Sequence, residues 1–368
     1  MKFGTEVNMA EIARQAGVSK AAVSVAFSGR KGKIGVSEET RKRVLKIAAK
    51  LGYSPNPMGR SLSMKKSHLI ALLGRESYFV FALDTIKGIE SVLRDRDYSL
   101  LTYYDGSWAD DQARHLRLAL DRRVDGLIIA GAPEAPDGAN HKRVADLRKK
   151  GVPVVQLYRR IYPDVPVVMT DEDRAGYLAT HHLLELGHTR IAHVTHSAYL
   201  DRELPGTHAD ALQRAQGYER AMREAGLKPQ VIDYDAQTMV GLDYTRLVKP
   251  AVDQLRHGGF TAATCFCDYV AIGVMNQLAA AGVRVPKDFS VVGYDNANMS
   301  EMCNPPLTTL GQPLQEIGAT AARMIFELMD KKEVSDTIYE PIPVVRESTH
   351  FITVEPLRKS QVKNRITR

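Results

Sequence analysis

From residue 68 onward the chain alternates short apolar runs with helical stretches, and this alternation restricts its fold more than any other feature. SHLIALLG (67–74), YSLLTYY (98–104), VDGLIIAG (124–131), VPVVQLY (152–158), TRIAHVT (189–195), TAATCFC (261–267) and FSVVGY (289–294) each span a strand. Between them lie amphipathic patterns such as DTIKGIESVLRDR (84–96) and YLATHHLLELG (177–187). Strand, helix, strand in this order reads as βαβ units forming a parallel sheet covered on both faces. Runs that are apolar throughout, instead of alternating, fit strands buried on both sides. Periodicity alone leaves one long doubly wound sheet open.

The first fifty residues obey another rule. In MAEIARQAGVSKAAVSVAFSG (9–29), Met9, Ile12, Ala13 and Ala16 recur at helical spacing and Gly17 stops the helix, since glycine takes the left-handed conformation a sharp turn needs. Val18 plugs the turn, and Ser19 is a good N-cap for a second helix. There Ala22, Val23 and Ala26 can face inward while Lys20, Ala21, Ser24 and Val25 face outward. Two short helices joined by a glycine turn form a helix-turn-helix. A basic loop, GRKGKIG (29–35), follows, and Ser37 caps a third helix with Glu38 and Glu39 in its first turn, where negative charge suits the helix dipole. Gly52 closes it.

Charge separates this head from the body. Residues 1–66 hold 14 Lys and Arg against 4 Asp and Glu, whereas the remainder holds 36 against 39. A basic head on a near-neutral body points to a polyanion partner for the head alone. Arg14, Lys20, Arg30, Lys31, Lys33, Arg41, Lys42 and Arg43 are its phosphate candidates.

IARQAGVSKAAVS, VSEETRKRV (36–44) and LGYSPNPMGRSL (51–62) resemble the DNA-binding headpiece of the LacI/GalR family of bacterial transcriptional regulators. VDGLIIAG, DRAGYLATHHLLELGHTRIAHV (173–194), VPKDFSVVGYDN (285–296) and PPLTTLGQP (305–313) match further along, so the likeness covers nearly the whole chain. It implies a small all-α helix-turn-helix headpiece on an α/β two-lobed periplasmic-binding-protein-like core with two Rossmann-like subdomains. The expected boundaries are a headpiece over 1–53, a hinge helix and linker over 54–67, an effector-binding and dimerisation core over 68–353, and a basic tail over 354–368. Three crossovers, near 170, 308 and 334, would give lobe one 68–170 plus 308–334 and lobe two 171–307 plus 335–353.

On the DNA side, the resemblance implies contacts from Ser19, Lys20, Ala21, Ser24, Val25, Lys31, Lys33, Thr40, Asn56, Arg60 and Leu62. Val25 stands where an arginine commonly reads guanine, so the operator is expected to differ from the family's usual half-site; a valine contacts at most a thymine methyl. The loop of Lys31 and Lys33 is a few residues longer than usual. Leu62 matches the leucine that wedges into the minor groove and kinks the duplex. Its hinge helix, weakened by Gly59 where an alanine is usual, should order only with DNA and a partner hinge.

On the ligand side, the resemblance implies Phe81, Tyr158, Arg214, Asp268 and Asp295. Arginine donates in a fork and aspartate accepts in one, so Arg214 and Asp295 can grip vicinal hydroxyls of a sugar. Tyr158 replaces a frequent aspartate, Cys267 an asparagine, and Ala130 an occasional polar residue, which lowers the hydroxyl-binding capacity.

The function implied is a dimeric repressor of carbohydrate-uptake or catabolic genes, binding a palindromic double-stranded operator under control of a sugar effector. A sugar-binding receptor without a DNA role is the alternative. No enzyme motif of the dinucleotide, P-loop or G-x-S-x-G kind appears, and no cofactor is expected. Cys265, Cys267 and Cys303 do not make a zinc signature. His193 and His196 should point to opposite faces of their strand, so no metal site is expected. With no N-terminal apolar segment of the exported kind and no long apolar run, neither export nor a membrane span is expected, and a cytoplasmic homodimer fits.

Overall fold

The computed structural model describes residues 8–28, 36–53, 66–75, 79–105, 109–131, 138–196, 209–234 and 243–352. Its contacts separate two units: Met1–His68 with Arg122–Asp125, and Leu69–Asp121 with Gly126–Arg368.

The first unit carries α1 (Met9–Ala16), α2 (Lys20–Ser28) and α3 (Glu38–Lys50). Asn8 caps α1 by accepting from the backbone N–H of Ala10 at 2.9 Å and of Glu11 at 3.2 Å. Gly17 then takes φ 64°, the left-handed conformation that releases the chain into the turn. The Ser19 Oγ accepts from the Ala22 N–H at 3.1 Å and the Ser37 Oγ from the Thr40 N–H at 3.2 Å, so both later helices start on serine caps. The helices close on Ile12, Ala13, Ala16, Val23, Ala26, Val44 and Ala48. Small residues at the crossings allow three short helices to share so small a core.

The second unit runs in order β1 (Leu69–Arg75), α4 (Phe79–Arg94), β2 (Ser99–Asp105), α5 (Ala109–Asp121), β3 (Gly126–Ala130), α6 (Ala139–Lys149), β4 (Val154–Leu157), β5 (Val167–Thr170), α7 (Glu172–Glu185), β6 (Ile191–His196), α8 (Ala209–Glu224), β7 (Val231–Tyr234), α9 (Tyr244–Leu247), α10 (Lys249–His257), β8 (Ala262–Cys265), α11 (Asp268–Ala280), β9 (Ser290–Asp295), α12 (Asn298–Met302), β10 (Thr308–Gly311), α13 (Leu314–Met329), β11 (Thr337–Tyr339) and β12 (Ile342–Val344). Among the described residues the strands form two six-stranded sheets, ordered β11-β5-β4-β3-β1-β2 and β12-β10-β9-β8-β6-β7. Every pairing is parallel except the antiparallel edge of β10 with β12. The alternative of one long sheet is thereby settled in favour of two lobes.

Two expected crossovers move. Thr308 pairs with Val292 of β9, so β10 belongs to lobe two and the chain returns to lobe one only at Gln312 and Pro313. Thr337–Tyr339 then pairs with Val168–Thr170, so the last crossing falls at Glu340 and Pro341, not near 334. The physical reason is the same in both cases. A short strand outside a continuous apolar run is placed by its ladder partner, and periodicity over so few residues is silent.

In each lobe one pair of helices crosses closely. A Cβ on Gly88 or Gly318 would overlap the backbone of the opposite helix in the α4–α13 pair, and one on Gly176 or Gly217 would do so in the α7–α8 pair. Glycine is required there for close approach, not for an unusual φ. Among the described residues no helix is long and apolar enough to cross a membrane.

Candidate DNA-binding face and effector cleft

The outward face of α2 is as its spacing dictates. Lys20, Ala21 and Ser24 are exposed, Val25 is half-buried, and Val23 and Ala26 are buried beneath them. Ser19 serves the helix as its cap. Thr40, on the first turn of α3, gives its N–H to Ser37 and its hydroxyl lies 2.9 Å from the Ser37 Oγ. Two phosphate candidates are otherwise engaged. Arg14 pairs with Glu11, its Nε at 3.0 Å, and Arg41 donates Nε to the Ala26 carbonyl at 3.2 Å, tying α3 to α2. Lys31, Lys33, Asn56, Arg60 and Leu62, with the hinge helix and the basic tail, lie outside the described residues. Phe81 falls in the first turn of α4, and its side chain is likewise outside them.

On lobe two, the ends of β9, α7 and α8 bring together a charged cluster. Arg214 projects from α8, where the close crossing at Gly176 and Gly217 sets that helix against α7. Its Nε donates to the Glu172 Oε2 at 2.6 Å and its Nη1 to the Phe266 carbonyl at 2.6 Å. The guanidinium carbon lies 3.6 Å from the Tyr294 ring centroid. Side-chain exposure is 7% for Arg214 and 4% for Glu172, so the pair is buried. Asp295, at the end of β9 with φ 109°, is 7% exposed and accepts from the Gln312 Nε2 at 3.1 Å on one carboxylate oxygen. Gln312 in turn accepts from Thr170 at 3.1 Å, so the first two crossover segments meet beside the cluster.

Burial dominates the electrostatics. It pushes the carboxyls of Glu172 and Asp295 above the usual range, while the Arg214 charge pulls each back. Burial also disfavours the Arg214 charge, but Glu172, Tyr294 and Asp295 more than compensate, so its guanidinium is held firmly protonated. Asp210, on the first turn of α8, is pushed up by burial and pulled further down by Arg214, Arg159 and His196. Arg159 follows β4, in lobe one. Its Nη2 donates to the Gly131 carbonyl at 3.0 Å, and its charge reaches Asp210 on the other lobe.

Of the five expected ligand residues, Arg214 and Asp295 thus come together, each within the other's field. Two others are turned inward. Tyr158 takes φ 69°, is 6% exposed, and meets the Thr85 Oγ1 at 2.6 Å, with its ring packed in the lobe-one core. Asp268 is fully buried; it accepts from the Thr309 Oγ1 at 2.6 Å and from the Ala297 N–H at 2.7 Å. One oxygen therefore anchors the loop after β9 and the other holds β10, and burial lifts its carboxyl to about 7. Glu172, Arg159, Asp210 and Gln312 are the cluster members that sequence reading passed over. The signal available for Glu172 was slight: an acid in the first turn of a helix already capped by Asp171, which accepts from the Arg174 N–H at 2.8 Å.

The histidines occupy separate environments. His193 stacks on Tyr218 and meets the Thr264 Oγ1 at 2.9 Å, whereas His196 faces Phe266 and Tyr234 on the other side of β6. His188 bridges Thr261 and Ser290.

Comparison with known proteins places both units. Residues 8–56 match the model of bacterial regulatory proteins of the lacI family, and residues 180–349 match a periplasmic binding protein-like domain. The chain is 30% identical over 350 residues to the HTH-type transcriptional repressor PurR of Vibrio cholerae, covering 95% of this chain and 98% of that one. Among solved structures it is similar to the lac repressor dimer bound to operator and the anti-inducer ONPF (25% identity, TM-score 0.77, 94% of this chain and 100% of that one). It is also similar to a LacI family transcriptional regulator from Enterococcus faecium with bound ribose (27% identity, TM-score 0.63, 77% of this chain and 99% of that one). A helix-turn-helix headpiece joined to a two-lobed core, matched along almost its whole length, identifies the chain as a DNA-binding transcriptional regulator belonging to the lacI family.

Proposed function

We propose that this regulator is a repressor of carbohydrate-uptake or catabolic genes that binds a palindromic operator as a cytoplasmic dimer and responds to a sugar held between its lobes. One observation carries the ligand half of this reading. Arg214 keeps one terminal nitrogen, Nη2, and Asp295 one carboxylate oxygen, with no hydrogen-bond partner among the described residues. A donor and an acceptor side by side at the carboxyl end of a parallel strand suit vicinal hydroxyls, and open α/β sheets bind ligands at that end. The ribose-bound relative and the operator-bound lac repressor dimer support the same reading. On the DNA side, Lys20 and Ser24 offer donors to base edges, while Ala21 and Val25 offer only apolar contact.

Ligand closes the lobes and changes the spacing of paired headpieces, acting through its different affinity for the DNA-competent and DNA-incompetent states. The test is a gel shift with candidate operator fragments, repeated with each sugar of a panel that raises the protein's thermal stability. A sugar that stabilises the protein and changes its operator affinity is the expected result. Stabilisation by a nucleobase and by no sugar would replace the ligand class, and absence of any sequence-selective shift would remove the operator role.

A further inference from the structure

Glu172 has no task as a helix cap, because Asp171 holds that role. Yet its carboxylate is buried and lies 2.6 Å from the Arg214 Nε. The guanidinium is thus enclosed on three sides, by Glu172, by the Phe266 carbonyl and by the Tyr294 ring. Beside it stand the carboxyl groups of Glu172 and Asp295, and Asp210 lies within its field. A ligand carrying a phosphate or carboxylate would meet an arginine already paired, flanked by two further carboxylates. A ligand carrying hydroxyls or an amine would meet acceptors in Asp295 and a single donor in Nη2.

We infer that Glu172 is a specificity-determining residue: by pairing with Arg214 it withholds that charge from the ligand, so the cleft takes a polyol without negative charge and rejects anions. This rests on the reading of the cleft as the effector site and adds to it the charge class of the ligand. Glu172→Gln keeps the side chain's size and one acceptor for Nε but removes the charge. It should therefore convert an anion-rejecting cleft into an anion-accepting one, a gain that a purely structural role for Glu172 would not produce.

The experiment uses the full chain and sulfate as the probe, with thermal unfolding as the readout and sodium chloride of equal ionic strength as the reference. Sulfate stabilises most proteins weakly and without saturation, and the basic headpiece is common to all variants, so the informative quantity is the saturable difference between them. The expected result is a saturable rise in Tm with sulfate for E172Q, with an apparent affinity at least tenfold above that of the wild type, and its loss in the double variant E172Q/R214Q. Equal sulfate dependence in the wild type and E172Q, or a response that survives in the double variant, overturns the inference. If E172Q does not unfold in one cooperative transition, Glu172→Asn carries the same comparison. The outcome is separable from that of the sugar panel. A wild type unresponsive to every sugar removes the effector reading even if E172Q gains sulfate binding, and a sugar-responsive wild type that also binds sulfate as E172Q does removes only the role of Glu172.

Discussion

The two lobes solve one packing problem in the same way and then use the solution differently. In lobe one, a Cβ on Gly88 would overlap the Gln315 carbonyl and one on Gly318 the Thr85 carbonyl; in lobe two, Gly176 faces the Arg214 carbonyl and Gly217 that of Asp173. Each glycine faces the carbonyl of the residue three positions before the opposite glycine, so the two crossings share one geometry. The side chains one turn from those glycines diverge. In lobe one the buried member is the Thr85 hydroxyl, which meets Tyr158. In lobe two it is Arg214, which meets Glu172. The backbone arrangement fixes where a polar side chain can enter the buried crossing, and the residue type there decides whether that lobe contributes packing or charge.

The largest effect expected from this difference follows removal of the arginine. Arg214→Met leaves the Glu172 charge buried without its partner, which costs about 3–5 kcal/mol, whereas Thr85→Val in lobe one removes a neutral hydrogen bond worth about 1 kcal/mol. Urea unfolding midpoints of the two variants measure the contrast. Replacing both partners, Glu172→Leu with Arg214→Met, should recover most of the loss, because an apolar pair of similar volume often matches a buried ion pair. Equal losses for Arg214→Met and Thr85→Val would mean that the charged crossing is no more demanding than the neutral one. Next in size, Gly88→Ala and Gly176→Ala should each destabilise by about 1–3 kcal/mol through overpacking, with little relief from better helix propensity. Similar losses sharpen the shared geometry, and tolerance at one position alone breaks it.

Much of this was legible in the sequence, and the boundary of legibility is physical. The seven apolar runs predicted seven strands because each is long enough for burial on both faces to show in composition. Thr308–Gly311, Thr337–Tyr339 and Ile342–Val344 lie in no such apolar run, and only ladder pairing places them. Gly17, Ser19 and Ser37 were readable because caps and turns act over three or four residues. Family likeness singled out Arg214 and Asp295, which the fold brings together, but not Glu172, whose pairing depends on a contact with α8, 42 residues away in sequence. The internal partners of Tyr158 and Asp268 were hidden for the matching reason: a polar residue near a strand end faces either a cleft or an internal partner, and here Thr85, Thr309 and the Ala297 N–H engage them.

Titration offers a subtler contrast between the lobes. Among the described residues, the carboxylates on which burial outweighs the neighbouring charges and donors, Glu172, Asp268 and Asp295, all belong to lobe two. Folded Asp268 keeps its proton up to about 7, against an ordinary 3.8. Between those values the folded state binds more protons than the unfolded chain, so this residue makes stability fall as pH rises through the window and level off above it. His188 and His193, pushed down to about 4 and about 3 mainly by burial, act oppositely below their ordinary 6.5. The total curve therefore mixes signs, but its difference between the wild type and Asp268→Asn isolates one group. Relative to the variant, the wild type should lose stability from pH 4 to pH 7, as followed by urea unfolding at several pH values. Parallel curves would show that Asp268 is ionised in the fold and that its two donors outweigh burial.

The smallest expected effect is also the one that separates the lobes most directly. Tyr158→Phe removes the hydroxyl that meets Thr85 but keeps the ring, its volume and its place among Ile89, Val168 and Ile317. The Thr85 hydroxyl can turn to a carbonyl of its own helix, as threonine in a helix often does. The loss in stability should therefore stay near about 1 kcal/mol, the net worth of one neutral hydrogen bond. If Tyr158 serves lobe one only as packing, the concentration of sugar that half-changes operator binding should match the wild type in Tyr158→Phe. The corresponding change in lobe two, Asp295→Asn, should raise that concentration more than tenfold, since the amide can set a donor where the carboxyl oxygen accepts. A raised concentration for Tyr158→Phe as well would return the tyrosine to the ligand's side, and lobe one would then share in recognition.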